Sequence, residues 1–105
     1  MILILPSQSL VLNAYAVLAG STPGNAAFKD HQDFINTAGV GEAGYKAALN
    51  NLVDGVPTST LASTMLTNLG LGSFFTQADA EAFLTANASN RAGAMMDLAK
   101  ALYNL

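Results

Sequence analysis

The sequence contains no cysteine and no tryptophan, and only 10% of its 105 residues are charged. The absence of cysteine excludes disulfide frameworks and cysteine-ligated metal sites. Nucleic-acid binding depends on neutralising several phosphates, so four basic residues and a net charge of −3 predict no nucleic-acid partner. Intrinsic disorder is also excluded, because it requires low hydrophobicity with high net charge, whereas 51% of these residues are hydrophobic.

Long hydrophobic runs are missing as well. The first apolar run covers residues 1–5, and a second, at residues 10–19, is interrupted by Asn13. Neither approaches the ~20 residues that span a bilayer. We therefore predict no membrane span, and we divide the chain into an apolar N-terminal arm, residues 1–6, and a single helical domain, residues 7–105. The apolar residues of the arm are Met1, Ile2, Leu3, Ile4 and Leu5.

The spacing of apolar residues between glycines and prolines predicts short helices. No segment has the apolar–polar alternation and β-branched enrichment of a strand, so we predict an all-α fold, a compact single-domain bundle of about five to six short helices. Three helices are expected at residues 10–19, 23–37 and 45–54. Three more are expected after caps at Thr58 or Ser59, at Ser73 or Thr76, and at Asn87 or Ser89.

Two details of this helical pattern can be compared directly with a structure. Asp79 follows Thr76 by three residues, a spacing similar to a capping box, in which two side chains satisfy each other's free backbone N–H groups. The apolar residues at helical spacing are expected to face the core, and these include Phe34, Leu52 and Phe83.

Catalytic and metal-binding patterns are absent from the sequence. His31 is the only histidine, and neighbouring Asp30 and Asp33 lack the i, i+3 or i, i+4 spacing to it that helical metal ligands use. No serine lies in a nucleophile motif. We therefore predict no catalytic residue, no metal, no cofactor and no enzyme activity. Contact with an anionic sugar or a partner is expected at the scattered polar residues Lys29, His31, Lys46, Arg91 and Lys100.

Two stretches of the sequence carry a resemblance to a known group of proteins. The first runs from residue 15 to residue 30 and includes Gly20-Ser21-Thr22-Pro23-Gly24-Asn25. The second is Leu49-Asn50-Asn51-Leu52-Val53-Asp54-Gly55 followed by Leu61-Ala62-Ser63-Thr64-Met65-Leu66. Together they resemble the helical N-terminal modules of bacterial surface-layer proteins and RTX-type secreted proteins. The chain departs from that pattern at Ser21, where the group has arginine, and at residues 29–31, where it has an aromatic pair.

The resemblance implies a non-enzymatic role in anchoring or assembly at the bacterial cell surface, and therefore an extracellular location. The implied partners are outer-membrane lipopolysaccharide or another cell-surface glycan, and further copies of the chain in a homo-oligomer or lattice. Asparagine, serine and threonine, present 9, 7 and 8 times, supply the amides and hydroxyls that hydrogen-bond to saccharides.

Two alternatives remain open from the residues themselves. The chain could be a structural subunit of a homo-oligomer or filament that uses the apolar arm of residues 1–5 to contact its neighbour. It could instead carry a small apolar ligand in a cavity among its alanine-, leucine- and phenylalanine-bearing helices.

Overall fold

Residues 6–103 are the part of the chain that the computed structural model describes, and they form six α-helices, one short 3₁₀ helix and no strand. This confirms the predicted all-α fold. The α-helices are α1 (Pro6–Leu18), α2 (Asn25–Ile35), α3 (Gly41–Leu52), α4 (Thr58–Leu69), α5 (Gln77–Ala86) and α6 (Arg91–Tyr103), with the 3₁₀ helix at Ala88–Asn90.

The first helix begins earlier than the sequence pattern predicts. Its first residue is Pro6, which we had assigned to the arm, whereas the predicted start was Leu10 after a serine cap. Proline is favoured at the first position of a helix because that position needs no backbone N–H and because the ring holds φ near its helical value. The predicted arm residues 1–5 lie outside the described residues.

The helix caps follow the prediction in one case and contradict it in others. Thr76 caps α5, because its Oγ1 accepts the N–H of Asp79 at 3.1 Å and the Asp79 carboxylate accepts the N–H of Thr76 at 3.2 Å. The predicted cap at Thr58 or Ser59 is wrong, because α4 begins at Thr58 and Pro57 precedes it without a side-chain cap. The start of α6 at Arg91 is likewise later than predicted.

Helix α6 supplies much of the core and packs against α1 and α3, while α4 packs against α1 and α5. The alanines of α6 allow neighbouring helices to approach closely, and the two methionines of α6 fill the remaining space. The buried residues of α6 are Ala92, Gly93, Ala94, Met95, Met96 and Ala99.

Three residues that the helical spacing places in the core are exposed instead. Phe34 is 43% exposed, Leu52 is 74% exposed and Phe83 is 36% exposed, so these core predictions are wrong. Phe34 and Leu52 each lie within the last two residues of a helix, where neighbouring helices give less cover. Phe34 keeps one contact across to α3, with its ring centroid 6.5 Å from that of Tyr45. Phe83 lies at an open cleft between α4, α5 and α6.

Candidate functional site

An apolar cleft of about 520 Å³ opens between α4, the α4–α5 connection, α5 and α6. We call it the aromatic cleft. The residues that line it are Met65, Leu66, Leu71, Phe75, Asp79, Ala80, Phe83 and Leu98. Asp79 is the one ionisable residue among these eight, and the capping interaction with Thr76 already engages its carboxylate. The aromatic cleft therefore offers apolar contact area and little hydrogen-bonding capacity.

Exposed phenylalanines concentrate at this cleft. Phe75 is 48% exposed, and Phe83 faces it from α5. Phe74, next to Phe75 in the chain, is 77% exposed. Two of the five phenylalanines of the protein thus line one cleft, and a third, Phe74, is the chain neighbour of one of them. Large aromatic side chains left in water on a small domain make this cleft a candidate binding surface.

The backbone that carries Phe74 and Phe75 is held at both ends. Gly70 ends α4 in the left-handed region with φ +67°, and the N–H of Leu71 then bonds back to the carbonyl of Leu66 at 2.9 Å. The carbonyl of Leu71 accepts the N–H groups of both phenylalanines at 2.9 and 3.0 Å. Because the capping box at Thr76 follows immediately, the connection presents its aromatic side chains from a hydrogen-bonded turn.

Side-chain hydrogen bonds also fasten α5 to α4. The Gln77 side chain donates to the carbonyl of Ser59 at 2.9 Å and accepts from the hydroxyl of Ser63 at 2.9 Å. These contacts fix the first turn of α5 against the first half of α4. These hydrogen bonds therefore hold α4 and α5, two of the helices that form the aromatic cleft, in a fixed relative position.

A second cavity, of about 360 Å³, lies between α1, α2 and α3. It is lined by Ala14, Tyr15, Leu18, Ala19, His31, Tyr45, Leu49 and Leu52. The His31 ring lies between two tyrosine rings, with centroids 5.3 Å from Tyr15 and 5.7 Å from Tyr45.

The hydrogen bond between His31 and Tyr45 joins α2 to α3 across 2.8 Å. Tyr45 is only 2% exposed, and burial, with a smaller effect of Tyr15, raises the pKa of its hydroxyl to about 12. At neutral pH the Tyr45 hydroxyl therefore keeps its proton and can donate it to Nδ1 of His31. This half-buried histidine joins two helices, whereas the sequence predicted that it contacts an anionic sugar or a partner.

Two of the three lysines predicted to contact a glycan or a partner, Lys29 and Lys46, take part in ion pairs. Lys29 lies 2.8 Å from Asp33, and this hydrogen-bonded neighbour raises the pKa of Lys29. Lys46 bridges Glu42 at 3.0 Å and Asp97 at 2.7 Å, which connects α3 to α6. Burial alone lowers the pKa of Lys46, but hydrogen bonds to the two carboxylates outweigh it, so the net shift is upward.

The Arg91 side chain forms hydrogen bonds mainly with backbone carbonyl groups. Its guanidinium donates to the carbonyl oxygens of Val53 at 2.8 Å and Val56 at 2.7 Å, and at longer range to Asp54 and Thr58. Lys100 is exposed on α6, three residues after Asp97. The structure therefore brings Lys46 to Asp97 of α6, three residues before Lys100, and places Arg91 six residues before Asp97 at the start of the same helix.

Two further tests concern metals and membranes. Within residues 6–103, no three histidine, aspartate or glutamate side chains are grouped so that they could hold a metal ion. No helix in that range is both long enough and apolar enough to cross a bilayer.

The chain matches no protein-family model, and no curated protein or solved structure is significantly similar to it.

Helical periodicity did not predict the aromatic cleft, because it describes each helix separately and the cleft lies between several helices. Phe74 and Phe75 form an aromatic pair in a connection between Gly72 and the cap Thr76. A pair of large aromatics at loop positions is a signal in itself, since connections lie on the surface and expose their side chains.

Proposed function

We propose that this chain is a non-enzymatic assembly module that associates with further copies of itself through the aromatic cleft. The observation that carries the proposal is the exposure of Phe75 and Phe83 in one apolar cleft, with the still more exposed Phe74 next to Phe75 in the chain. Aromatic side chains dominate the energetics of protein interfaces because each removes a large apolar area from water with few rotatable bonds.

The charge content of the chain supports association between copies. Only 10% of the residues are charged and the net charge is −3, so identical chains repel each other weakly. The ion pairs of Lys29 and Lys46 reduce the unpaired charge further. Contact between two such surfaces thus has a small electrostatic cost to set against the burial of apolar area.

Glycan contact stays a prediction, and the geometry supports self-association better. Recognition of a sugar requires polar groups that are free to hydrogen-bond to it. Lys29, His31, Lys46 and Arg91 each already bond to another group of the protein. Four of the five polar side chains selected from the sequence are thus engaged within the protein, whereas Phe74 and Phe75 are left largely in water.

A location at the bacterial cell surface is part of the proposal, and the sequence resemblance supports it. Protease treatment of intact native cells, followed by detection of the chain with an antibody, tests this part. We expect the chain to be degraded while cytoplasmic markers persist. Full protection in intact cells, with degradation after lysis, would contradict a surface location.

Sedimentation velocity over a range from about 1 µM to about 1 mM tests the association itself. We expect the mass of the natural chain to increase with concentration. The double variant Phe75→Ser and Phe83→Ser, which changes both phenylalanines that line the cleft, is expected to stay monomeric, with an unchanged helical circular dichroism spectrum. The control is Leu52→Ser, because Leu52 is 74% exposed but lies outside the aromatic cleft.

Two results would contradict the proposal. The first is a natural chain that remains monomeric over the whole range. The second is a Leu52→Ser variant that loses association as fully as the cleft variant, since association would then not depend on the aromatic cleft.

A further inference from the structure

We propose that the aromatic cleft of one chain receives the apolar residues 1–5 of a second copy. This inference rests on the proposed function, because it names the partner of the same site. In the sequence, residues 1–5 come directly before Pro6, the first residue of α1.

The chemistry of the five residues is one reason for the assignment. Met1, Ile2, Leu3, Ile4 and Leu5 carry no charge, no hydroxyl and no amide on their side chains. A run of this kind is unfavourable in water unless another apolar surface covers it. The aromatic cleft has the complementary property, because its phenylalanines are themselves incompletely covered. Each feature thus supplies the apolar surface that the other lacks.

The size of the cleft agrees with this occupant. A cavity of about 150 Å³ is enough to bind one benzene molecule. The 520 Å³ of the aromatic cleft can therefore take about three aliphatic side chains. In an extended segment every second residue faces the same side, so Met1, Leu3 and Leu5 could enter together.

The polar content of the cleft agrees as well. A peptide with polar side chains needs hydrogen-bond partners when it is buried. The one carboxylate of the cleft, that of Asp79, already accepts the N–H of Thr76. An aliphatic segment makes no demand for hydrogen bonds on its side chains, and it is therefore the better occupant.

Exchange of the segment between two copies covers both features at once. If each chain inserts residues 1–5 into the aromatic cleft of the other, one closed pair buries two segments and two clefts. Exchange of an identical element between protomers is a known low-cost route to dimers.

Disulfide trapping tests the contact, and the absence of natural cysteine gives it a clean background. One chain carries Leu3→Cys and a second, with a mass tag, carries Phe83→Cys, while Phe74 and Phe75 are kept. Disulfides form only when the two Cα atoms come within about 7 Å of each other. We expect a mixed dimer under mild oxidation. The control replaces Phe83→Cys by Thr37→Cys, an exposed position that does not line the cleft, and is expected to give background levels only.

The same variants decide whether the segment binds its own chain. In a chain with both Leu3→Cys and Phe83→Cys, an internal disulfide in a monomer would show that the segment occupies its own cleft. That result, or a mixed dimer no more abundant than in the control, would overturn the inference.

Deletion of residues 1–5 separates this inference from the proposed function. We expect the deletion and the milder Leu3→Ser each to weaken association at least about tenfold, with the helical spectrum unchanged. If the natural chain associates and the cleft variant does not, but the deletion has no effect, the occupant is wrong and the proposed function stands. If the natural chain does not associate at all, the proposed function fails first.

Discussion

The side chain of Asn50 caps α6 from a different helix, because its Oδ1 accepts the main-chain N–H of Ala92 at 2.8 Å. The Asn50 amide nitrogen donates to Oδ1 of Asn90 at 2.8 Å, which fixes the orientation of the amide. Helix caps usually come from the residue just before the helix. Here the cap comes from α3, so the start of α6 is stabilised only when the two helices are packed together.

Replacement Asn50→Ala is expected to lower the free energy of unfolding by about 1–2 kcal/mol, because it removes the cap and leaves the N–H of the buried Ala92 without this partner. The matched control is Asn51→Ala, an exposed neighbour on the same helix, with an expected change of less than about 0.5 kcal/mol. Urea denaturation followed by circular dichroism measures both. Equal losses in the two variants would show that the Asn50 contact does not stabilise the fold.

Arg91→Lys is expected to destabilise the protein by about 2 kcal/mol, although the charge is kept. The planar guanidinium reaches the carbonyls of Val53 and Val56 at the same time, and a lysine ammonium cannot reproduce that fork. The control Lys100→Met changes an exposed basic residue of the same helix and is expected to leave the melting temperature nearly unchanged. A melting temperature for Arg91→Lys equal to that of the natural chain would contradict a structural role for the fork.

The sequence predicted those parts of the fold that depend on local spacing. The capping box of Thr76 and Asp79 requires only neighbouring residues, and it is present. The cap on α6 could not be predicted in this way, since Asn50 and Ala92 are 42 residues apart.

The wrong predictions for Arg91 and Phe83 also concern contacts between separate helices. Arg91 was expected to contact a partner, because a basic residue is usually exposed, but packing of α6 beside the α3–α4 turn aims it at backbone carbonyls. Phe83 has core spacing on α5, yet it lines the open aromatic cleft and stays 36% exposed. Whether an apolar helix position is buried depends on the neighbouring helix, and periodicity describes only the helix itself.

Tyr45 predicts a specific loss of stability at high pH. Burial raises its pKa in the folded protein to about 12, above the value of about 10 of an unfolded chain. The folded state therefore holds the proton more tightly, so its contribution is fully present below pH 10 and is lost as the pH rises from about 10 to about 12. The expected loss is on the order of 2 kcal/mol.

Comparison with Tyr45→Phe isolates this effect from the lysines, which lose their charge in the same pH range. Denaturation by urea at pH 8 and at about pH 11.5 gives the free energies of unfolding. We expect the decrease to be smaller in the variant than in the natural chain. An equal decrease in both would show that ionisation of Tyr45 is not coupled to unfolding.

Gly93 predicts a steric penalty at the start of α6. A Cβ added to this buried glycine would overlap the Asn90 side chain, the same side chain that accepts the Asn50 amide. Although alanine is the better helix former by about 1 kcal/mol, Gly93→Ala is therefore expected to destabilise the protein by about 1–3 kcal/mol. Gly72→Ala is the control, since its added Cβ meets no atom within 4 Å. Thermal denaturation distinguishes the two, and a Gly93→Ala variant that melts at or above the temperature of the natural chain would show that Asn90 can move aside without loss of the cap.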